Sequence, residues 1–267
     1  MNEIKLPKKI EIDQKSNNKA IVVIEPLYPG YGLTLGNALR RVLISSLPGA
    51  AITAIKIKGV QHEFSGLKYV KEDIVELILN IKLIRLKLLR GENAVLNLKA
   101  KGEKVVTAKD IKKLSDVEIV NPDQVIATLA DKSAELEIEF IVGRGLGYSP
   151  VESREKEKSE IGVIAIDAIF TPVLKARFEI ENVRVGQMTN YDRLTLEIDT
   201  DGTITPTDAF YQAGEILVNH FTLFTSKKTA SKKKSEAKQT LKSETNQEEI
   251  VKDQERAESK NKKEVKK

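Results

Sequence analysis

Residues 32–49 read GLTLGNALRRVLISSLPG, and this stretch predicts one amphipathic helix near the start of the chain. Its apolar residues recur three or four positions apart, the spacing that places side chains on one face of an α-helix. Thr34 is placed to cap the start of the helix, and Pro48 with Gly49 ends it. On a helical wheel, the side predicted to be buried consists of Leu35, Ala38, Leu39, Val42 and Leu43.

The opposite side of this helix carries Asn37, Arg41 and Ile44. A single exposed isoleucine is common on protein surfaces and needs no special explanation. An apolar residue beside an arginine is also a frequent composition of a contact point for a partner protein. The helical wheel alone favours the first interpretation and leaves the second one open.

Downstream of the helix, the polarity pattern changes from a helical period to a period of two, which is typical of strands. A strand precedes the helix at residues 18–27, and a β-rich block extends from residue 51 to about residue 167. We expect a hairpin over residues 84–98 and one helix over about 71–81. The segment GRGLGY (143–148) is interpreted as a loop, because its glycines do not match a nucleotide-binding pattern.

A second amphipathic helix is predicted from Pro206 to about Phe224, with Thr205 as its N-cap. Its apolar side covers roughly 160° of the wheel, wider than the stripe of an ordinary surface helix. Either the whole apolar side is buried in the core of its own chain, or one part of it packs on that core and the other part packs on a second chain. The width favours an oligomer, for which a two-fold dimer is the default symmetry.

The net charge of +5 is unevenly distributed along the 267 residues. Residues 226–267 hold fourteen Lys and Arg against eight Asp and Glu, so the remainder of the chain is close to neutral. This tail has few large apolar residues and is therefore predicted to be disordered. The charged segment at 152–160 is predicted to be a solvated loop.

No catalytic or metal-binding constellation is recognisable, and no cofactor is expected. The chain has no cysteine, and its two histidines, His62 and His220, have no carboxylate or cysteine at ligand spacing. Asp199 and Asp201 flank a turn and are expected to serve that turn. Neither a signal peptide nor an apolar run long enough to span a membrane is seen, so a cytoplasmic location is expected.

The stretch EPLYPGYGLTLGNALRRVLISSLPGA (25–50) closely resembles the signature of the bacterial RNA polymerase α subunit family. The resemblance extends colinearly over about residues 5–225. The further matching segments are GVQHEFS (59–65), VKEDIVELILNIK (70–82), VEIVNPDQVIATL (117–129), GRGLGY (143–148) and the long stretch over residues 170–210.

This resemblance implies an α+β fold with two domains, to which the composition of the chain adds a disordered charged tail. A discontinuous dimerisation domain would consist of residues 1–49 and 170–225, with a β-rich domain inserted over 50–169 and the tail over 226–267. The helices at 34–47 and 206–225 would pack against their copies in a second chain. The implied dimer interface comprises Leu35, Leu39, Val42, Leu43, Phe210, Ala213, Leu217, Phe221 and Phe224.

The implied function is that of a homodimeric scaffold, a non-catalytic subunit of DNA-directed RNA polymerase, which is a nucleotidyltransferase. The scaffold would nucleate assembly of the β and β′ subunits for transcription. Its implied contacts with those subunits are Asn37, Arg40, Arg41, Ile44 and Lys82. Family members usually carry a C-terminal domain that binds DNA, and the Lys/Glu-rich tail stands in its place here. DNA contact is therefore expected through the holoenzyme, or weakly through the basic tail.

Two functions of other classes stay open beside the scaffold. One is a free-standing enzyme on an α+β fold, which the absence of a nucleophile–base pair or metal constellation disfavours. The other is a DNA-binding protein that acts through the basic tail, and removal of residues 226–267 distinguishes it from the scaffold.

Overall fold

A computed structural model of the protein describes residues 4–154 and 162–225. Within these ranges the fold is mixed, with three α-helices and mostly strands, as expected for an α+β protein. The predicted tail at 226–267 lies outside the described residues, as does most of the predicted loop at 152–160. The helices are α1 (Tyr31–Ser45), α2 (Ile74–Lys82) and α3 (Pro206–Thr225).

The strands follow one another along the chain with short turns and two 3₁₀ segments between them. In order they are β1 (Lys9–Ser16), β2 (Lys19–Leu27), β3 (Pro48–Ile57), β4 (Leu86–Leu88), β5 (Asn93–Lys101), β6 (Lys104–Thr107), β7 (Val117–Ile119), β8 (Val125–Leu129), β9 (Glu135–Leu146), β10 (Tyr148–Ser149), β11 (Val163–Ala165), β12 (Ala168–Ile169), β13 (Val173–Val185) and β14 (Met188–Thr200). The 3₁₀ segments are Ala108–Asp110 and Val151–Arg154.

One sheet combines the two ends of the described chain. Its strand order is β1-β2-β14-β13, and all its neighbouring strands are antiparallel. Every second residue of β14 is buried, from Asp192 to Thr200, so one face of the sheet packs and the other faces water. Helix α1 lies against β13 and β14, and the apolar core beneath it also receives Ala209, Phe210 and Ala213 of α3.

A second sheet, of order β5-β9-β3-β4-β7 with β11 also paired to β3, is built from the middle of the chain. Helix α2 covers it and buries Ile74, Leu77 and Ile81. The carboxylate of Asp73 caps α2 by accepting a hydrogen bond from the backbone N–H of Glu76 at 2.7 Å. A separate, larger apolar core of Ile, Leu, Val, Ala and a single Phe results.

Three local predictions are wrong, for identifiable physical reasons. The expected hairpin at 84–98 does not form, because β4 pairs with β3 and β7 while β5 pairs with β9. The segment 143–148 is not a loop, since β9 continues through it to Leu146. Helix α1 begins three residues before Thr34, so that threonine is inside the helix and does not cap it.

The start of α3 is as predicted. The hydroxyl of Thr205 accepts a hydrogen bond from the backbone N–H of Asp208 at 3.1 Å and donates to the Asp208 carboxylate at 2.7 Å. The described chain up to Leu217 forms one compact unit, and Val218–Thr225, the end of α3, belong to a second. None of the helices in the described ranges combines the length and hydropathy that a membrane-spanning segment requires.

Candidate subunit interface

Helix α1 is positioned by a carboxylate from the far end of the chain. Gly30 precedes the helix in the left-handed region, with φ of 85°, and no side chain of the preceding segment caps the helix. Instead, Oδ2 of Asp192, on β14, accepts the backbone N–H groups of Gly30 and Gly32, each at 2.9 Å. A carboxylate at this place also interacts favourably with the helix dipole. The first and last described segments are thereby joined at one point.

We expect Asp192→Ala to lower the free energy of unfolding by about 1–2 kcal/mol, the usual cost of a lost N-cap. The side chain is only 7% exposed, so the two N–H groups lose their acceptor in a place with little water. Asp192→Asn keeps an acceptor oxygen and should lose less. Urea denaturation measures both variants, with the exposed Asp13→Ala as control. An Asp192→Ala variant as stable as the control would contradict the cap.

Close packing fixes which side of α1 faces inward. A Cβ atom on Gly36 would lie 2.7 Å from the ring of Phe178 on β13, so this glycine lets the helix lie directly on the sheet. Leu39 and Leu43 are buried on the same side, as the wheel predicts. Leu35 and Val42, which the wheel also places on this side, are partly buried against the same core. The opposite side of α1 is therefore left available for another molecule.

That opposite side carries four of the five residues that the sequence proposed as subunit contacts. Arg40, Arg41 and Ile44 are exposed, with Ile44 at 42%, while Asn37 is half-buried. Neither guanidinium forms a salt bridge with a carboxylate of the described residues. We call the surface of Leu33, Asn37, Arg40, Arg41 and Ile44 the outer face of α1.

Leu33 was missed by the sequence interpretation, although it is 55% exposed on this outer face. The reason is the misplaced start of the helix: with Thr34 as a cap, Leu33 falls outside it. Since α1 begins at Tyr31, Leu33 lies one turn before Asn37 at helical spacing. A prediction that placed the N-cap of the helix at Gly30 would have included Leu33 in the outer face.

The fifth proposed contact, Lys82, has an intramolecular partner. Its ammonium group is 3.0 Å from Oδ2 of Asp167, and the other carboxylate oxygen accepts the backbone N–H of Val151 at 3.0 Å. The Lys82 side chain is 26% exposed. The hydrogen bond from Lys82, followed by that from Val151, lowers the pKa of the Asp167 carboxyl. Lys82 thus ties the end of α2 to the turn between β11 and β12, and Asp167 of that turn also holds Val151, which follows β10.

We expect the stabilisation from this ion pair to disappear in acid. Because the pKa of Asp167 is lower in the folded chain than in the unfolded one, the contribution is present above the unfolded pKa and is lost as the pH falls through the folded pKa. Lys82→Met should therefore be less stable than the unmodified chain at neutral pH, and the difference should shrink towards the folded pKa of Asp167. Denaturant unfolding at a series of pH values measures this; a difference independent of pH would contradict the ion pair.

The residues proposed for a dimer interface divide into three groups. Leu39, Leu43, Phe210 and Ala213 are at most 8% exposed and belong to the chain's own core, so they have almost no surface left for a partner. Leu35, Val42 and Leu217 are partly buried. Phe221 is 59% exposed and Phe224 is 79% exposed. A helical wheel cannot separate these groups, because core and exposed apolar residues form one continuous arc.

The end of α3 exposes more apolar surface than the predicted set contains. Val218 is 60% exposed and lies one turn before Phe221, and the ring centroids of the two phenylalanines are 6.4 Å apart. Leu223 is 69% exposed on another side of the helix. We call Val218, Phe221 and Phe224 the apolar end of α3. Contiguous apolar surface of this kind is uncommon on monomeric proteins and usually marks an interaction site.

Comparison with known proteins covers most of the chain. It is 54% identical over 224 residues to the DNA-directed RNA polymerase subunit alpha of Carboxydothermus hydrogenoformans, an alignment that spans 84% of this chain and 71% of that protein. The chain belongs to the bacterial RNA polymerase α subunit family. The corresponding protein of Moorella thermoacetica is 50% identical with the same coverage, and that of Chloroherpeton thalassium is 46% identical over 227 residues, 84% of this chain and 69% of that protein.

A second match concerns the middle of the chain. The family described as RNA polymerase Rpb3/RpoA insert domain matches residues 55–171. In this member of the α subunit family, the matched range contains α2 and most of the second sheet, including the Lys82–Asp167 ion pair. The outer face of α1 and the apolar end of α3 lie outside the matched range.

The carboxylates that attracted attention in the sequence have structural partners in this α subunit family member. Asp201 accepts hydrogen bonds from the backbone N–H and the hydroxyl of Thr203, at 2.9 and 2.6 Å, and so serves its turn as predicted. Asp199, the other carboxylate named there, lies within β14 and is 3.3 Å from the ammonium group of Lys19, so it does not serve the turn as expected. In residues 4–154 and 162–225, no three His, Asp or Glu side chains are grouped so that they could hold a metal ion.

Proposed function

We propose that this chain is the α subunit of a DNA-directed RNA polymerase and acts as a homodimeric scaffold without an active site of its own. Two copies would associate first and then bring the β and β′ subunits together. Membership of the α subunit family supports the polymerase assignment. The apolar end of α3 is the observation that carries the scaffold proposal, because so much exposed apolar surface favours a second protein chain.

The dimer contact is proposed to centre on Phe221 and Phe224. Removing a phenylalanine side chain from water contributes roughly 1.5–3 kcal/mol, and two-fold symmetry counts each residue twice. Val218, one turn before Phe221, extends the same surface. Because Leu39, Leu43, Phe210 and Ala213 are core residues, their contribution would be indirect, through the shape of the helices.

The domain division is proposed as a discontinuous dimerisation domain at 1–49 and 170–225 with an insertion at 50–169. It is supported by the two large apolar cores, one drawn from residues 22–47 and 173–213 and the other from residues 52–166. It is also supported by the match of the insert-domain family to residues 55–171. The chain leaves this sheet after β2 and re-enters it on the edge strand β13, from which β14 returns to pair with β2, so the insertion interrupts no strand pair of the sheet.

The contact with β and β′ is proposed for the outer face of α1. Arg41 presents a planar, charged guanidinium group, and Ile44 presents an apolar side chain next to it. This combination is enriched at protein interfaces. Asn37 and Arg40 border them, and Leu33 adds apolar surface. Lys82 is proposed to support the assembly by holding α2 to the turn between β11 and β12, since its ammonium group is paired with Asp167.

The test of this function is reconstitution from purified parts. We expect the isolated chain to have twice its 29.8 kDa mass by light scattering at micromolar concentration. We also expect it to capture β from solution, then β′, and to show no nucleotide polymerisation before β′ is added. A monomer of 29.8 kDa that captures neither subunit, or nucleotide turnover by the chain alone, would contradict the proposal.

A further inference from the structure

A groove of about 510 Å³ opens on the part of the molecule that carries the second sheet. It lies between residues 108–114 and β7, which is the last strand of that sheet. Its lining is mainly apolar and includes two residues that keep large exposed surfaces, Leu89 at 52% and Leu114 at 41%. The other apolar residues that define its floor are Leu96, Ile111, Val117 and Ile119.

One wall of the groove is cationic. Lys109, Lys112 and Lys113 line it, and all three are exposed. None of their ammonium groups forms a salt bridge with a carboxylate of the described residues. Asp110, the acidic residue nearest in sequence, is occupied by Lys104 at 2.8 Å and by the backbone N–H of Thr107 at 3.0 Å. The three ammonium groups of this wall are therefore without a salt bridge among the described residues.

The opposite wall offers free backbone groups. Glu118 of β7 is paired with Lys87 of β4, and the bond from the backbone N–H of Val120 to the carbonyl of Arg85 shows that alternate residues bond towards β4. By the alternation of an antiparallel ladder, the N–H and C=O of Ile119 point away from β4, to the outer side of the strand. The next outward-facing residue of β7, Val117, already donates its N–H to the carbonyl of Leu114 at 3.3 Å, so Ile119 is the position of this strand at which an extended segment can pair.

We propose that this groove binds a short extended segment of a partner protein in which acidic and apolar residues alternate. The apolar side chains occupy the groove, the acidic side chains meet Lys109, Lys112 and Lys113, and the backbone pairs with Ile119. The three lysines select an acidic segment over a basic one, because they outnumber the two acidic residues that also line the groove, Glu118 and Asp123. This inference does not depend on the dimer or on polymerase assembly.

The test uses the complete chain and a fluorescein-labelled synthetic peptide of eight residues that alternates Asp or Glu with Leu or Val. Fluorescence anisotropy should show binding at micromolar concentration that weakens with added salt, because the rim contacts are exposed charges. Lys112→Glu/Lys113→Glu should weaken it at least tenfold, and Leu114→Asp by a similar factor. A peptide with the acidic residues replaced by Lys should not bind.

The matched control is Lys68→Glu/Lys71→Glu, which makes the same change of charge at two exposed lysines outside the groove. It should leave peptide affinity within about twofold of the unmodified chain, and thermal melting should show that all variants are folded. If the control variant weakened peptide binding equally, the effect would be nonspecific electrostatic attraction to the whole protein, and the proposal would be overturned. Tighter binding of a short DNA duplex, lost in Lys112→Glu/Lys113→Glu, would overturn it in favour of a phosphate-binding surface.

Discussion

Phe221→Glu/Phe224→Glu is expected to convert the protein from a species of twice 29.8 kDa into one of 29.8 kDa. In the proposed dimer each phenylalanine is buried against the second chain, and the substitution replaces four apolar side chains per dimer with carboxylates that repel one another. A loss of about 4 kcal/mol, a modest figure for four such side chains, weakens association roughly a thousandfold. Light scattering over a range of micromolar concentrations measures the change.

The matched control for this variant is Phe64→Glu. Phe64 is 81% exposed and lies in the inserted part of the chain, so the chemical change is the same at a place with no proposed dimer contact. The control should keep twice the chain mass. Because Phe221 and Phe224 are already exposed, thermal unfolding of the isolated subunit should change little apart from the loss of the dimer. A double variant that stays dimeric would exclude the apolar end of α3 as the contact.

The second large effect is expected on capture of the polymerase subunits. Ile44→Glu combined with Arg41→Ala should weaken binding of the first large subunit by at least about thirtyfold, because hot-spot residues typically contribute 2 kcal/mol or more. The dimer mass should be unchanged, since both residues lie on the outer face of α1 and not in its core. Pull-down with separately purified β, quantified by titration, measures the loss.

Val105→Glu is a suitable control, because Val105 on β6 is 52% exposed and is proposed to contact nothing. Its capture of β should match that of the unmodified chain. If Ile44→Glu/Arg41→Ala binds β as well as the control does, the outer face of α1 is not the contact. The two experiments separate the two halves of the proposal: the first removes the dimer, whereas the second keeps the dimer and removes the assembly.

The sequence predicted the helices more reliably than the pairing of strands. The cap of α3 at Thr205 and the inward side of α1 at Leu39 and Leu43 are confirmed, because that cap and helical spacing act within a few residues. The cap expected for α1 at Thr34 is wrong, because the acceptor comes from Asp192 on a distant strand. The hairpin expected at 84–98 is wrong, because alternation of polarity identifies a strand without identifying its neighbour. Strand pairing depends on the path of the whole chain.

The same contrast applies to the candidate interface. The exposed position of Arg41 and Ile44 was predictable from the wheel, since one side of α1 is so clearly apolar. The division of α3 into a buried start and an exposed end was not, because Phe210 and Phe221 look alike in sequence and differ only in what packs on them. Lys82 was predicted as a surface contact, and its ion pair with Asp167, 85 residues away, required the folded chain.

By itself, the sequence determined the two amphipathic helices, the β-rich middle and the resemblance to a family of polymerase subunits, because these follow from patterns and motifs within short stretches. The tertiary structure decided which apolar residues form the core and which stay exposed, how Asp192 caps a helix 160 residues earlier, and where lysines border an apolar groove. Those features arise from contacts between segments that are distant in sequence, and such contacts form only when the chain folds.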